Sequence, residues 1–224
     1  MKHTGTVLSG RVKDRPPLLR FVRATLLIVA AFTVVLDAIQ AMTIVTGRAP
    51  FAFGRADGAV PLSYLPQLLQ ADLRDGATGT LADSTFSVRL ICALPTALHA
   101  ATVVLGALFL LRALRGISLA RPFDTFVLGN WQRLSVALLA GGSAQGLADT
   151  AATIYLNTRI GLLFGTGHVS EQQRIAFLGS DYRTIGTNLP QWPIPIIIAG
   201  LIAAALTAAF RAGALLEEDV DGVV

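Results

Sequence analysis

Charged residues, cysteine and histidine are all scarce in this chain. Asp, Glu, Lys and Arg make up 14% of its 224 residues, against about 25% in typical soluble domains. Hydrophobic residues make up 53%, and this balance excludes an ordinary soluble domain. The single cysteine, Cys92, excludes an intramolecular disulfide and gives no Cys-based metal site. His3, His99 and His168 are too scattered to predict a metal site either.

The motifs of soluble enzymes are also missing from the sequence. It contains no P-loop, no Gly-x-Ser-x-Gly, no His-Glu-x-x-His and no dinucleotide fingerprint. We therefore predict a non-enzymatic protein without a cofactor or a metal. The net charge of +4 does not indicate nucleic-acid binding, because the basic residues adjoin apolar runs and are not interleaved with aromatic residues.

What the sequence does contain is four long apolar runs. A helix needs about 20 apolar residues to cross the ~30 Å hydrocarbon core of a bilayer. The sequence therefore predicts an all-α membrane protein, a bundle of four transmembrane helices within residues 25–209. The four predicted spans lie at about 25–45, 90–111, 134–156 and 193–209.

A basic hairpin at residues 112–133 fixes the predicted orientation. It carries Arg112, Arg115, Arg121 and Arg133 against a single acid, and cytoplasmic loops are enriched in Lys and Arg. We therefore place the hairpin in the cytoplasm, and four spans then place both termini there as well. The other segments are a basic tail at 1–24, an acidic tail at 210–224, and extracytoplasmic loops at 46–89 and 157–192.

The two outer loops could form a small ordered cap or stay loose. Leu65–Leu73 has the pattern of a short amphipathic helix, and the partial alternation of Gly79–Val88 is typical of a strand. A further helix is predicted around Glu171–Leu178. On the inner side, Asp124 is expected to be the N-cap of a segment that leads into the third span. Small residues in spans three and four predict close helix packing.

Two short motifs lie at the predicted inner ends of the last two spans. The first is Pro122, Phe123, Asn130 and Arg133, and the second is Phe210, Arg211, Gly213 and Leu216, followed by acids and an apolar terminus. In these motifs and in its layout, the chain resembles the domain-of-unknown-function family 2975, which consists of small bacterial four-helix membrane proteins. The resemblance implies four spans and a location in the bacterial cytoplasmic (inner) membrane. It implies no chemistry.

Polar side chains recur inside three of the predicted spans. They are Asp37 and Gln40 in the first, His99 in the second, and Gln145 and Asp149 in the third. Counted at ~1.5 Å per residue, they lie in the middle to outer half of a ~30 Å core, where they could face one another. Ionisable groups in a membrane are candidates for function, so one interpretation is a proton- or cation-linked cluster. The other is a set of interhelical hydrogen bonds that holds the spans in register.

Two functions remain open on these grounds. The first is a regulatory or scaffolding protein that engages a cytoplasmic protein partner through the hairpin and the C-terminal tail. The second is a small transporter or proton-linked channel subunit that uses Asp37, His99 and Asp149. In both cases the lipid bilayer surrounds the protein, and the small-residue faces could also serve a homo-oligomer.

Overall fold

Four long helices dominate the fold. The computed structural model describes residues 17–51, 58–117, 124–163 and 168–221. The long helices are α1 (Pro17–Thr46), α2 (Phe86–Ile117), α3 (Thr125–Ile160) and α5 (Ile194–Asp221), with a short helix α4 (Glu171–Leu178) before the last of them. Each long helix contains most of one predicted span and extends beyond it, because the helical pattern continues into the flanking loops.

Three of the four long helices are long and apolar enough to cross a membrane. These segments are Leu18–Thr46, Phe86–Gly116 and Ile194–Leu215. Many of their large apolar side chains are exposed to the surroundings, Phe32 and Ile202 among them, which indicates contact with lipid. Helix α3 is as long as the others but less apolar, and it is not among these segments.

The long helices pack in chain order. The principal contacts among the described residues run from α1 to α2, from α2 to α3 and from α3 to α5. Helix α3 therefore has a helix on each side, and α1 packs mainly on α2. This arrangement is a row of helices, whereas the sequence predicted a bundle.

Glycines let α3 approach both of its neighbours. An added Cβ at Gly106 of α2 would lie 3.2 Å from Leu138, and one at Gly142 would lie 3.0 Å from Ile197 of α5. A Cβ at Gly200 would lie 2.8 Å from Leu139. Gly142 of the third predicted span and Gly200 of the fourth thus lie at close helix contacts, as their small size predicted.

The two outer loops meet in a small ordered cap. Strand β1 (Leu68–Leu73) from the first loop pairs antiparallel with β2 (Tyr182–Thr187) from the second, with Leu68 opposite Thr187 and Leu73 opposite Tyr182. The cap rests on the outer ends of α1, α2 and α3. Its core contains side chains that are buried completely, namely Ile44, Leu81, Val88, Leu156 and Leu178.

The structure corrects two of the predictions for these loops. The segment Leu65–Leu73 contains strand β1 and no helix, because residues 68–73 pair through their backbone with β2. The segment Gly79–Val88 is no strand: it holds a short 3-10 turn and then the first residues of α2. Two other predictions are confirmed. Helix α4 spans Glu171–Leu178, and the Asp124 side chain caps α3 by accepting a hydrogen bond from the Phe126 N–H at 2.8 Å.

Candidate functional site: a capped polar chamber

The polar residues predicted inside the spans surround one cavity of about 200 Å³. We call it the polar chamber. Its lining comprises Asp37, Gln40, Pro66, Gln67, Pro95, Thr96, His99, Gln145, Asp149 and Gln191. All five residues of the predicted polar cluster are among them, so the row of helices brings the cluster together at a single place.

An acid–imidazole pair connects α1 to α2 in this chamber. His99 Nδ1 lies 2.7 Å from Asp37 Oδ2. The Asp37 side chain is 12% exposed and the His99 side chain 27% exposed. A neutral imidazole with its proton on Nδ1 donates to the carboxylate, and a protonated imidazolium does so with an added charge attraction. The pair therefore joins the two helices in either protonation state, with a strength that depends on the proton.

Two residues of the cap donate hydrogen bonds to the carboxylate of Asp149 on α3. Its Oδ1 accepts a hydrogen bond from Gln67 Nε2 at 2.8 Å, and its Oδ2 accepts one from the backbone N–H of Gln191 at 2.6 Å. Both carboxylate oxygens thus face N–H donors that the cap contributes. The Asp149 residue is 7% exposed, and the two loops thus close over it.

The cap segment that carries Gln67 is itself fixed by the second outer loop. Asn188 donates from its side chain to the Pro66 carbonyl at 2.8 Å, and from its backbone N–H to the Gln67 carbonyl at 2.9 Å. Gln67 is 2% exposed as a result. The roof of the chamber is therefore a fixed part of the cap, contributed by both loops.

Two amide oxygens at the chamber have no hydrogen-bond partner within the described part of the chain. They are Gln67 Oε1 and Gln145 Oε1, and both are buried. Because Gln67 Nε2 is engaged by Asp149, the amide oxygen of Gln67 points away from that carboxylate. A buried polar atom without a partner is costly, so both oxygens lower the stability of the folded protein.

The lining of the polar chamber contains acidic side chains but no permanently charged basic side chain. The titratable residues in its lining are Asp37, Asp149 and His99, and the lining contains no Lys or Arg. No set of three or more His, Cys, Asp or Glu residues suited to a metal ion occurs among the described residues. The arrangement of carboxylates therefore favours a cation over an anion in the chamber.

The residues of the first family-like motif lie at the inner end of α3, and half of that motif falls outside the described residues. Pro122 and Phe123 are outside. Asn130 is 1% exposed and donates from its side chain to the Phe126 carbonyl at 2.7 Å, within its own helix. Arg133 lines a separate cavity between α3 and Phe109 of α2.

The second motif packs its helix against α3 at the same end. Phe210 lies 6.0 Å from Trp131 between ring centroids, and Arg211 donates to Gln132 Oε1 at 2.6 Å. Gly213 lies in the last turns of α5, and the Leu216 side chain is outside the described residues. These contacts support packing, and none of the motif residues lines the polar chamber.

Sequence reasoning missed the roof of the chamber. Gln67 and Gln191 belong to loops, and no periodicity marks a loop residue that folds back onto a helix. The available signal was weak: Gln67 follows Pro66 in the middle of the first loop, and Gln191 precedes Trp192 at the start of the fourth predicted span. The helical members were accessible to prediction because a polar side chain within an apolar run is conspicuous.

No protein-family model, curated protein or solved structure matches this chain. The resemblance to family 2975 therefore stays a prediction.

Proposed function

We propose that this chain is a non-enzymatic integral membrane protein with a regulatory role, and that the polar chamber is its input site. The observation that carries the proposal is the contact between Asp37 and His99 inside a chamber that the outer cap covers. This contact links α1 to α2 beside the hydrogen bond from the Arg89 guanidinium to the Val45 carbonyl at 3.1 Å, and of these two polar links it is the one whose strength depends on protonation. A change of pH, or the binding of a ligand in the polar chamber, would therefore change the packing of α1 against α2.

The proposal includes four membrane spans, with α3 as the fourth. Helix α3 packs between α2 and α5, so a bilayer that surrounds those two helices also surrounds α3. Its lower apolar content fits this central place, because its polar and small residues face neighbouring helices instead of lipid. Arg23, Arg133 and Arg211 would lie near the inner boundary, as the positive-inside rule favours.

This topology places the chamber in the outer third of the membrane. Asp37 lies roughly 21 Å along α1 from Arg23 at ~1.5 Å per residue, in a hydrocarbon core of ~30 Å. The cap lies beyond it on the extracytoplasmic side. An outer signal would thus enter under the cap, and the response would reach the inner ends of the helices.

The output side of the proposal is a cytoplasmic partner bound by the basic hairpin and the acidic tail. Residues 118–123 and 222–224 are outside the described residues, so this part rests on the charge pattern of the sequence. The bacterial inner-membrane location and the membership of family 2975 belong to the same proposal. They rest on the motif resemblance alone.

A distance measurement between inner helix ends tests the input role. Spin labels are attached through Leu18→Cys on α1 and Phe126→Cys on α3, both exposed positions, while the native Cys92 is buried and stays unlabelled. The interlabel distance in lipid nanodiscs is expected to differ between pH 5 and pH 8, the range in which histidine ordinarily changes charge. The difference should disappear in Asp37→Asn and in His99→Gln.

The matched control is Asp75→Asn, which removes an exposed carboxylate of the cap outside the chamber. It should keep the response of the parent protein. Asp149 is the other titratable group that faces the chamber, and the cap contributes only amides and a proline to the lining. Interlabel distances that are the same at both pH values, or that still change in Asp37→Asn, would contradict the proposal.

A transport role is the second candidate, because Asp37, His99 and Asp149 all line one chamber within the row. It predicts proton or cation flux into proteoliposomes that is lost in Asp37→Asn. The regulatory role predicts no such flux. Instead, capture of a cytoplasmic partner should be lost when the tail is cut before Leu216.

A further inference from the structure

A large groove lies outside the polar chamber, between the outer end of α3 and the short helix α4. Its volume is about 940 Å³. Helix α3 contributes Ala151, Ile154 and Arg159 to its lining, and α4 contributes Gln173 and Ala176. The groove and the polar chamber have no lining residue in common, so the groove is a separate site.

The walls of the groove are fixed by packing between the cap and the long helices. Tyr155 of α3 contacts Phe177 of α4, with 5.9 Å between their ring centroids. The Phe177 carbonyl accepts a hydrogen bond from the Thr85 N–H at 3.1 Å, and the neighbouring Leu178 is completely buried in the core of the cap. Helix α4 is therefore held in place beside α3, and the groove between them is part of the packed structure.

The groove is apolar along α3 and carries a positive charge at one end. Ala151 and Ile154 are exposed on the wall that α3 forms. Arg159 lies in the last turn of the same helix, about 12 Å beyond Ala151 at ~1.5 Å per residue. An apolar groove with a cation at its end has the polarity of an amphiphile with an anionic head.

The guanidinium of Arg159 is exposed and pairs with no carboxylate among the described residues. Its Cζ lies 5.6 Å from the centroid of the Tyr155 ring, which holds the charge at the wall of the groove without neutralising it. The lining contains no Asp or Glu. The site therefore favours an anion, and a guanidinium can bind a phosphate through two parallel N–H groups.

Gln173 adds a second hydrogen-bond donor from the opposite wall. Its Oε1 accepts a hydrogen bond from the Ser170 backbone N–H at 3.2 Å, which leaves the Nε2 group to donate. The Gln173 side chain is exposed and lines the groove. An anion beside Arg159 would thus find donors on both helices.

The depth of the groove in the proposed four-span topology matches a lipid. At ~1.5 Å per residue, Arg159 lies about 39 Å along α3 from Arg133, and a bilayer with its headgroups is ~40–45 Å thick. Ala151 lies about 27 Å from Arg133, near the outer edge of the ~30 Å hydrocarbon core. The groove therefore begins among the acyl chains and ends among the outer headgroups.

We propose that this groove binds one anionic phospholipid of the outer leaflet. The phosphate would accept hydrogen bonds from Arg159 and Gln173, and an acyl chain would lie along Ala151 and Ile154. The volume of the groove is at the upper end of the range for small-molecule sites, about 300–1,000 Å³. The inference goes beyond the proposed function, because it uses no residue of the polar chamber and needs only the position of α3 in the bilayer.

Thermal unfolding of the full chain in neutral detergent micelles tests the inference. The added probes are phosphatidylglycerol, phosphatidylcholine, palmitate and glycerol phosphate, at fixed pH and ionic strength. A ligand that binds the folded state raises the unfolding temperature as its concentration rises. Phosphatidylglycerol should bind about tenfold more tightly than phosphatidylcholine, a difference of about 1.4 kcal/mol. Palmitate and glycerol phosphate, which lack the phosphate or the acyl chains, should not stabilise the protein.

Three variants locate the effect in the groove. Arg159→Gln should abolish the tenfold preference for phosphatidylglycerol. The matched control is Arg183→Gln, which removes an exposed arginine of β2 outside the groove and should keep the preference. Ala176→Trp, at an exposed position of α4, should fill the groove and weaken the binding of both phospholipids. Because the concentration dependence is read within each variant, a lower starting stability does not obscure the result.

Several outcomes would overturn the inference. Equal stabilisation by both phospholipids, or the same loss of preference in Arg159→Gln and Arg183→Gln, would show that Arg159 selects no headgroup. Stabilisation by glycerol phosphate would indicate a site for a free anion, and stabilisation by palmitate a site for any apolar anion. A rise of the unfolding temperature with protein concentration alone would show that a second copy fills the groove. The spin-label response to pH is independent, so a failure to bind lipid would leave the role of the polar chamber standing.

Discussion

At the scale of single residues, two glycines of α3 differ in the space around them, so substitution to alanine should have opposite effects on stability. Gly146 faces Trp192, two residues before α5, and an added Cβ would lie 2.6 Å from the Trp192 ring. Gly129 lies on the same helix with nothing within 4 Å of an added Cβ. The first glycine is required by a close approach beside the polar chamber, and the second is a helix position that alanine would fill without a clash.

We predict that Gly146→Ala lowers the free energy of unfolding by roughly 1–3 kcal/mol, the usual cost of overpacking. Gly129→Ala should be neutral or stabilise by up to about 1 kcal/mol, because alanine favours helix. Unfolding in mixed micelles with increasing sodium dodecyl sulfate measures both. Equal effects of the two substitutions would show that the contact of Gly146 with Trp192 does not limit packing.

Tyr182 of β2 makes the cap sensitive to alkali. Burial first, and then the negative charge of Asp83, raise the pKa of the Tyr182 phenol from 10.0 to about 12. The folded state thus keeps the phenol proton that the unfolded state releases near pH 10. The associated stability is fully present below pH 10 and is lost as the pH rises through about 12.

The corresponding substitution is Tyr182→Phe. The Tyr182 hydroxyl is buried without a hydrogen-bond partner among the described residues, so removing this hydroxyl should cost little stability at neutral pH. The variant should resist the loss of cap structure between pH 10 and pH 12 better than the parent, as followed by hydrogen exchange of the β1–β2 amides. The same alkaline loss in both proteins would show that another group controls it.

Residue-level prediction succeeded where one side chain contrasts with its neighbours. Asp37, His99 and Asp149 interrupt apolar runs, so they were recognisable as a group before any geometry was known. Gln67 and Gln191 lie in loops, where a polar side chain is ordinary even beside apolar neighbours, so nothing marked them as part of the group. Their role follows from the return of both loops onto Asp149, which is a tertiary contact across 82 and 42 residues.

At the scale of elements, the helices were easier to predict than the strands. Apolar runs of about 20 residues and the capping side chain of Asp124 are local signals. Strand β1 is short and owes its extended form to pairing with β2, more than 100 residues later in the chain. Its local sequence fits a helix as well, and tertiary pairing overrides such weak propensity.

The hydrophobic core of the cap includes buried leucines that come from the loops and not from the long helices. We predict that Leu178→Ala, at a completely buried position of α4, destabilises the cap by about 2–5 kcal/mol. Limited proteolysis from the outer side should then cut the cap loops faster. Leu189→Ala is the control: that side chain is 87% exposed, so the change should stay within about 0.5 kcal/mol. Equal cleavage of the two variants would contradict a packed cap.

At the scale of the whole molecule, the direction of each helix follows from its contacts. Along α2 the contact partners on α3 descend, from Leu138 at Gly106 to Val127 at Gly116, so the two helices are antiparallel. Along α3 the partners on α5 also descend, from Gly200 at Leu139 to Ile197 at Gly142. If α2 and α5 cross the bilayer, α3 must cross it between them in the opposite direction.

Cysteine labelling in intact cells tests this arrangement, and the native Cys92 is silent because it is buried. Leu162→Cys, just after α3, and Asp75→Cys in the cap should react with a membrane-impermeant maleimide from outside. Thr125→Cys, at the first residue of α3, should react only after the membrane is opened. Labelling of both ends of α3 from outside would mean that the helix does not span. Labelling of Thr125→Cys alone would reverse the orientation, and with it the side from which the polar chamber is reached.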